Sequence, residues 1–137
     1  MTRADVFEFM RSHRYAVVSS VTPGGAPESA VVGVAVTREL EIVFDTVKTS
    51  RKYANLLANP LTAVTFWTGE ITVQYQGAAG EATGEFLGRV REIYFKTWPD
   101  GRDRLSWPGI THFLIRPSWI RYSDFESNPP VIEEFTF

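Results

Sequence analysis

The amino-acid sequence predicts a mainly β protein, a six-stranded antiparallel β-barrel with short flanking α-helices. Runs rich in β-branched residues recur along the chain, and short turn sequences separate most of them, as in antiparallel sheets. Helical periodicity is confined to three short stretches, which is too little helix for a parallel sheet with crossover helices. The sequence has no internal repeat and no interior linker. We therefore expect a single domain over residues 1–137.

The first half of the chain is predicted to form one helix and three strands. Thr2 and Asp5 resemble a capping box, and the apolar residues that follow have helical spacing over residues 3–13. The runs after this helix are rich in β-branched residues, and the turn sequence PGGAP separates the first two. The predicted strands are residues 15–22, 28–37 and 40–46.

The second half is predicted to form two more helices and three more strands. One helix covers about residues 50–58, and another covers about residues 86–94 and ends before Pro99, where an exposed loop begins. The predicted strands are residues 61–68, 71–85 and 110–125. We expect a tight turn at Gly69-Glu70 and a break or bulge at Pro117.

Composition excludes several classes of function. The formal net charge is −2, so the chain lacks the basic excess of nucleic-acid-binding and membrane-attached proteins. It has no cysteine, which excludes disulfides, thiol nucleophiles and cysteine metal sites. The N-terminal residues do not resemble a signal peptide, and no apolar run is long enough to cross a bilayer. We expect a cytoplasmic protein without nucleic-acid or membrane partners.

Residue types that usually carry catalysis form no recognisable pattern. His13 and His112 are far apart and lack the spacing of a metal-binding pair. Asp100 and Asp103 lie in a glycine-containing turn, which they support without chemistry. The motif G-x-S-x-G is absent, and GAAGEATG over residues 77–84 matches no nucleotide-binding loop, so it indicates a bulge or close packing. We predict no catalytic side chain and no metal site.

The triplet Ser50-Arg51-Lys52 is unusual because it places two cations at the predicted start of a helix. A helix N-terminus exposes unpaired N–H groups and carries partial positive charge, so each exposed cation there costs about 0.3–1 kcal/mol. A bound phosphate makes this placement of cations favourable, because the Ser50 hydroxyl, the backbone N–H groups and both cations then donate to it. In the alternative interpretation, Ser50 only caps the helix and both cations point into water.

The segment FDT...SRKYANLLANPLTAVTF, residues 44–66, resembles the flavin-phosphate segment of the pyridoxamine 5′-phosphate oxidase-like split-barrel family. That family typically shows an aromatic-x-Thr strand end, a Ser-x-Lys helix start, and then Asn-Leu and Asn-Pro before a hydrophobic strand. The preceding RYAVVSSVTPGGAPESAVVGVAV is similar to the family's first two strands. The resemblance covers about residues 12–85, and the order of its short motifs makes it specific.

This resemblance implies a split barrel that binds FMN at the interface of a homodimer. Thr46 and the main chain of Asp45 would face the flavin ring or the ribityl chain, and the second strand would line the ring edge. The implied cofactor-binding residues are Ala30, Val31, Val32, Asp45, Thr46, Ser50, Arg51, Lys52 and Gln74. Gln74 shares its strand face with Thr72, another candidate. Trp107 or Trp119 would reach the flavin of the partner chain.

The sequence also departs from the family pattern. Its second strand has no basic residue and its C-terminus has no Arg and His pair, although true pyridoxamine phosphate oxidases use both for their substrate. We therefore expect a flavin-dependent oxidoreductase that acts on another small molecule, with the flavin performing hydride or electron transfer. One alternative is a deazaflavin-dependent reductase that uses Lys48 and Arg38. Another is a non-catalytic flavin or heme carrier, with His13 or His112 as the heme ligand.

Overall fold

A computed structural model describes all 137 residues of the chain. The helices are α1 (Arg3–Arg11), α2 (Arg51–Ala58) and α3 (Gly84–Thr97), and a 3₁₀ helix spans Pro99–Ser106. The strands are β1 (Tyr15–Val21), β2 (Pro27–Gly33), β3 (Ala35–Val36), β4 (Ile42–Val47), β5 (Leu61–Thr68), β6 (Ile71–Glu81), β7 (Ile110–Asp124) and β8 (Val131–Thr136). None of the helices combines the length and apolar character that crossing a bilayer requires. The predicted mainly β architecture is confirmed.

All eight strands form one antiparallel sheet of order β2-β1-β5-β6-β7-β4-β3, with β8 paired to β7. Strands β2 and β3 stand at opposite ends of this order, yet only Val34 separates them in the sequence. The chain at Val34 therefore brings the two edges of the sheet together. The sheet curls into the predicted split barrel, with short helices outside it.

Two differences from the predicted strands concern pairing. The predicted strand 28–37 divides at Val34, because its first part pairs with β1 and its second part pairs with β4. The C-terminal strand β8 was not predicted, and it pairs along the end of β7, where Arg121 bonds to Glu134. Its sequence, VIEEFT, lacks the alternation of apolar and polar residues that marks a strand. In the structure its residues are exposed except for the partly buried Phe135. Its backbone pairing with β7 holds it in the sheet.

The core lies mainly inside the barrel, where α1 covers one end with Val6 and Met10. A smaller second cluster lies on the outer face of β4 and β7, under α3. It contains Ala35, Val43, Ala82, Val90, Tyr94, Phe95, Trp98 and Leu114. Apolar side chains are therefore buried on both faces of β4 and β7, as Phe44 and Val43 show on adjacent positions of β4. These two strands form the most enclosed part of the sheet.

Local signals place the helix starts as predicted. Thr2 and Asp5 form a reciprocal capping box, in which the Thr2 N–H donates to the Asp5 carboxylate at 2.7 Å. Ser50 caps α2, because its hydroxyl oxygen accepts the Tyr53 N–H at 3.3 Å. The direction of the chain at the start of α2 is thus fixed by a side chain that belongs to the candidate site.

The glycine-rich segment of β6 contains the predicted irregularity. The register between β6 and β7 shifts between Gln76 and Gly77, beside Pro117. A Cβ atom on Gly77 would overlap the Arg116 carbonyl oxygen and lie 2.9 Å from Cγ2 of Ile115. Close backbone packing at a bulge therefore explains this glycine, and the sequence interpretation is confirmed.

We expect Gly77→Ala to lower the free energy of unfolding by about 1–3 kcal/mol, because the added methyl group overpacks the bulge. Gly80→Ala on the same strand is the control, since a Cβ atom there meets nothing within 4 Å. Urea unfolding followed by tryptophan fluorescence measures both variants. Equal stability of the two variants would contradict close packing at Gly77.

Candidate functional site

A small pocket lies between the start of α2 and strands β1 and β2. Its volume is about 60 Å³, and its lining combines two cations, one acid and two hydroxyl groups. The lining residues are Val18, Ser20, Glu28, Ser29, Ala30, Arg51 and Lys52. The fold therefore brings Arg51 and Lys52 together with Ala30 of β2, as the sequence predicts. Ser29, Ser20 and Glu28 were not predicted.

Ser50 links the end of β4 to the start of α2. Its hydroxyl oxygen accepts a hydrogen bond from the Thr46 hydroxyl at 2.9 Å, in addition to the capping bond from Tyr53. Thr46 is buried at the end of β4, so the strand holds the N-cap in place. The backbone N–H groups of Arg51 and Lys52 have no partner within the helix and remain available to an anion.

Lys52 is a partly buried cation without a counter-ion. Its ammonium group makes no ion pair and no side-chain hydrogen bond, whereas Arg51 pairs with Glu28. Burial lowers the pKa of Lys52, and the positive charge of Arg51 lowers it further. The charge of Asp45 offsets these two effects only in part, so the pocket disfavours a positive charge that has no direct partner. An anion in the pocket would remove this penalty.

Glu28 connects the pocket to buried polar groups behind it. One carboxylate oxygen accepts the Arg51 guanidinium at 3.0 Å, and the other accepts the Asn55 side-chain amide at 2.8 Å. The same amide donates to the Ser20 hydroxyl at 3.1 Å, and Asn55 and Ser20 are both buried. These residues lie on β1, β2 and α2, so no local motif relates them. Sequence reasoning missed them for this reason.

The three predicted positions of β2 point in alternating directions. Ala30 lines the pocket, Val31 has 65% of its surface exposed on the outer face, and Val32 lies in the core. The hypothesis assigned their main-chain groups, rather than their side chains, to the flavin ring. Strand β2 thus contributes residues both to the pocket and to the exposed outer face of the sheet, which is compatible with that assignment.

Asp45 directs its side chain away from the pocket. Its carboxylate accepts the Arg104 Nε–H at 2.7 Å and the Tyr94 hydroxyl at 3.2 Å. The bond to Asp45 raises the pKa of Arg104 above its ordinary value. This contact holds the 3₁₀ helix against α3, so the exposed loop predicted after Pro99 is wrong in its conformation. Arg104 was missed because a pairing across 59 residues has no sequence signature.

Gln74 lies outside the pocket. It is exposed on β6, between Thr65 of β5 and Arg121 of β7. Thr72 lies on the same strand face. Within one chain, neither residue joins the cluster around Arg51 and Lys52, and their role in cofactor binding stays a prediction.

Comparison with known proteins assigns this chain to a family. Residues 2–123 match the family model of pyridoxamine 5′-phosphate oxidase. The chain belongs to the pyridoxamine 5′-phosphate oxidase-like family. The match spans most of the chain, including every residue of the pocket and every predicted cofactor-binding residue.

One relative in this family is the pyridoxine/pyridoxamine 5′-phosphate oxidase of Rubrobacter xylanophilus. It is 32% identical over 93 residues, which amount to 66% of this chain and 41% of that protein. The chain thus spans less than half the length of this relative. The family assignment rests on the match to the family model, and the activity of this longer relative does not pass to the chain.

Two solved structures share the oxidase-like fold. A heme-binding protein from Mycobacterium smegmatis superposes with a TM-score of 0.83 at 13% identity, covering 98% of this chain and 57% of the other. A pyridoxamine 5′-phosphate oxidase-related FMN-binding protein from Nostoc punctiforme has a TM-score of 0.71 at 12% identity, covering 98% of this chain and 93% of the other. At such identities the likeness concerns the fold alone.

Neither histidine of this family member presents a nitrogen to the pocket. His13 lies at the end of α1, and its ring nitrogens are 2.8 Å from the Phe9 carbonyl oxygen and 3.0 Å from that of Trp67. His112 is fully buried beneath the rings of Tyr94 and Phe95, and neither of its nitrogens has a hydrogen-bond partner. Both histidines therefore lie away from the pocket at the start of α2.

Stability should fall in mild acid because of His112. Burial lowers its pKa from the ordinary value of 6.5, so the unfolded chain takes up a proton first. The free energy of unfolding should therefore decrease as the pH falls below about 6.5, by at most ~1.4 kcal/mol per pH unit until the folded chain is protonated too. His112→Leu should remove this slope, and it should cost little at pH 7 because it deletes two unpaired nitrogens. Denaturant unfolding at pH 7, 6 and 5 measures the free energy of unfolding of both proteins. An unchanged slope in the variant would exclude His112 as the source of the pH dependence.

Proposed function

We propose that the chain is an FMN-binding oxidoreductase that acts as a homodimer on a small molecule other than pyridoxamine phosphate. The observation that carries this proposal is the cationic pocket at the start of α2, where Lys52 lacks a counter-ion. A phosphate monoester is dianionic or nearly so at neutral pH, and it accepts several hydrogen bonds. It matches the charge and the donors that the pocket offers.

The residues present fit the phosphate of FMN. Arg51 and Lys52 supply charge-assisted donors, and the first-turn N–H groups add donors along the helix axis. Ser50 uses its oxygen to accept from Thr46 and Tyr53, which leaves its own hydrogen for the phosphate. The three residues that the family resemblance assigns to the phosphate are thus the ones that meet at this helix start.

Bound FMN would supply the hydride or electron transfer, which explains why no acid and base pair is needed near the site. The residues of the chain would bind FMN, orient it and shield it from water. Arg51 and Lys52 hold the phosphate end, while the rigid end of β4 keeps Thr46 beside it. The exposed strand β2 offers its main chain to the ring, and Val31 contributes an apolar surface that excludes water.

A second copy of the chain would complete the site. A pocket of about 60 Å³ accommodates a phosphate group, whereas the three fused rings of a flavin must extend beyond it along the sheet. The outer face there exposes Val31, Leu61 and Trp67, which are 65%, 63% and 52% exposed. It also carries a groove of about 390 Å³ that shares Ser20 with the pocket. Covering this face with an identical chain would bury apolar surface and wall in the rings.

Heme is the less favoured ligand for this chain. Its usual protein ligand is a histidine nitrogen that faces an open cavity. His112 has no exposed surface, and both nitrogens of His13 already lie within bonding distance of main-chain oxygens. These contacts favour FMN although one fold neighbour is a heme-binding protein.

We expect the purified chain to bind FMN and to show flavin absorption bands. Lys52→Ala and Arg51→Ala should each weaken FMN binding by about 10- to 100-fold, because each removes a charge-assisted bond worth ~1.5–3 kcal/mol. Both variants should bind riboflavin as the wild type does, since riboflavin has no phosphate. Flavin fluorescence quenching measures both affinities.

Lys96→Ala is the matched control, because Lys96 is an exposed lysine on α3 and does not line the pocket. It should leave FMN binding unchanged. Absence of titratable FMN binding in the wild type would overturn the proposed function. Tighter binding of a deazaflavin cofactor than of FMN would identify the deazaflavin as the cofactor.

The homodimer should depend on the apolar outer face of the sheet. Leu61→Glu places a charge in that face, so it should shift the sedimentation profile from dimer to monomer and weaken FMN binding in parallel. Leu57→Glu is the control, because Leu57 is 57% exposed but lies on α2. A wild type that sediments as a monomer, or a Leu61 variant that stays dimeric, would contradict this interface.

A further inference from the structure

Glu28 is an acidic residue inside a pocket that otherwise suits an anion. It lines the pocket together with Arg51 and Lys52, and its side chain is only 22% exposed. A carboxylate so close to a bound phosphate would repel it. Neither the helix cap nor the barrel core uses this charge, so its presence needs a separate explanation.

The two partners of Glu28 differ in their freedom to move. Asn55 is 5% exposed, and its amide bonds both Glu28 and the buried Ser20. Arg51 has 71% of its side chain exposed and meets Glu28 through one nitrogen. Displacing Glu28 from Asn55 would leave one N–H of a buried amide unpaired. Displacing Arg51 from Glu28 would only release the guanidinium into water. An arriving anion would therefore move Arg51 and leave Glu28 in place.

We propose that Glu28 competes with the ligand phosphate for Arg51, so that the guanidinium must move away from the Glu28 carboxylate before all of its donors can bind the phosphate. This inference rests on the proposed function, because it concerns the same phosphate site. Glu28 then lowers the affinity for every ligand that enters through its phosphate. It also keeps the guanidinium beside the pocket when no ligand is present. Such a residue sets how readily the chain releases its cofactor.

The opposite role is that Glu28 positions Arg51 for the phosphate and strengthens binding. The two roles predict opposite signs when the charge is removed. Glu28→Gln makes this distinction, because glutamine keeps an oxygen for the Asn55 amide and loses only the charge that holds Arg51. The variant thus preserves the hydrogen bond to the buried side of the pocket.

We expect Glu28→Gln to bind FMN about three- to tenfold more tightly than the wild type, since it removes a partly exposed ion pair and a like charge. Riboflavin affinity should not change. In an Arg51→Ala background the gain should be clearly smaller, because only the repulsion between the carboxylate and the phosphate then remains. Fluorescence titration of the full chain with FMN and with riboflavin gives all of these affinities.

Glu8→Gln is the matched control, because Glu8 pairs with Arg11 at 3.2 Å on α1 and does not line the pocket. It should bind FMN as the wild type does. Unchanged or weaker FMN binding by Glu28→Gln would overturn the inference while the proposed function stands. An equal gain in the absence of Arg51 would also overturn it, because general repulsion would then be the whole cause. If neither the wild type nor any variant binds FMN, the proposed function fails and the inference falls with it.

Discussion

Positive charge at the start of α2 exceeds the negative charge that the chain places beside it, and the candidate site depends on this imbalance. Arg51 and Lys52 follow the N-cap Ser50, where the helix already carries partial positive charge. Glu28 neutralises Arg51 alone. In the proposed function, the remaining charge on Lys52 attracts an anion to the pocket, and the pairing of Arg51 with Glu28 sets how strongly the anion binds.

The double burial of β4 and β7 makes this charge arrangement rigid. Neighbouring side chains of β4 point to opposite faces, so Thr46 reaches the N-cap of α2 while Asp45 reaches Arg104 on the 3₁₀ helix. One strand end thus anchors both the helix that carries the cations and the segment that packs on α3. Neither contact can shift far, because the strand between them is packed from both sides.

Membership of the oxidase-like family narrows the function without naming the ligand. The same fold occurs in a protein from Nostoc punctiforme described as FMN-binding and in one from Mycobacterium smegmatis described as heme-binding. The fold alone does not choose between them. The residues at the pocket and the positions of the two histidines favour FMN in the proposed function. Glu28 adds a property that the family pattern does not describe.

Sequence alone determined the features that local patterns encode. These are the six long strands, the three helices, the capping roles of Thr2 and Ser50, and the cluster of cations at the start of α2, because each depends on residues a few positions apart. Only the tertiary structure decided which distant residues meet. Glu28 with Arg51 and Asp45 with Arg104 are long-range pairs, and the complete burial of His112 results from packing against α3. Such pairings are set by the geometry of the closed sheet, and a linear sequence carries no local trace of them.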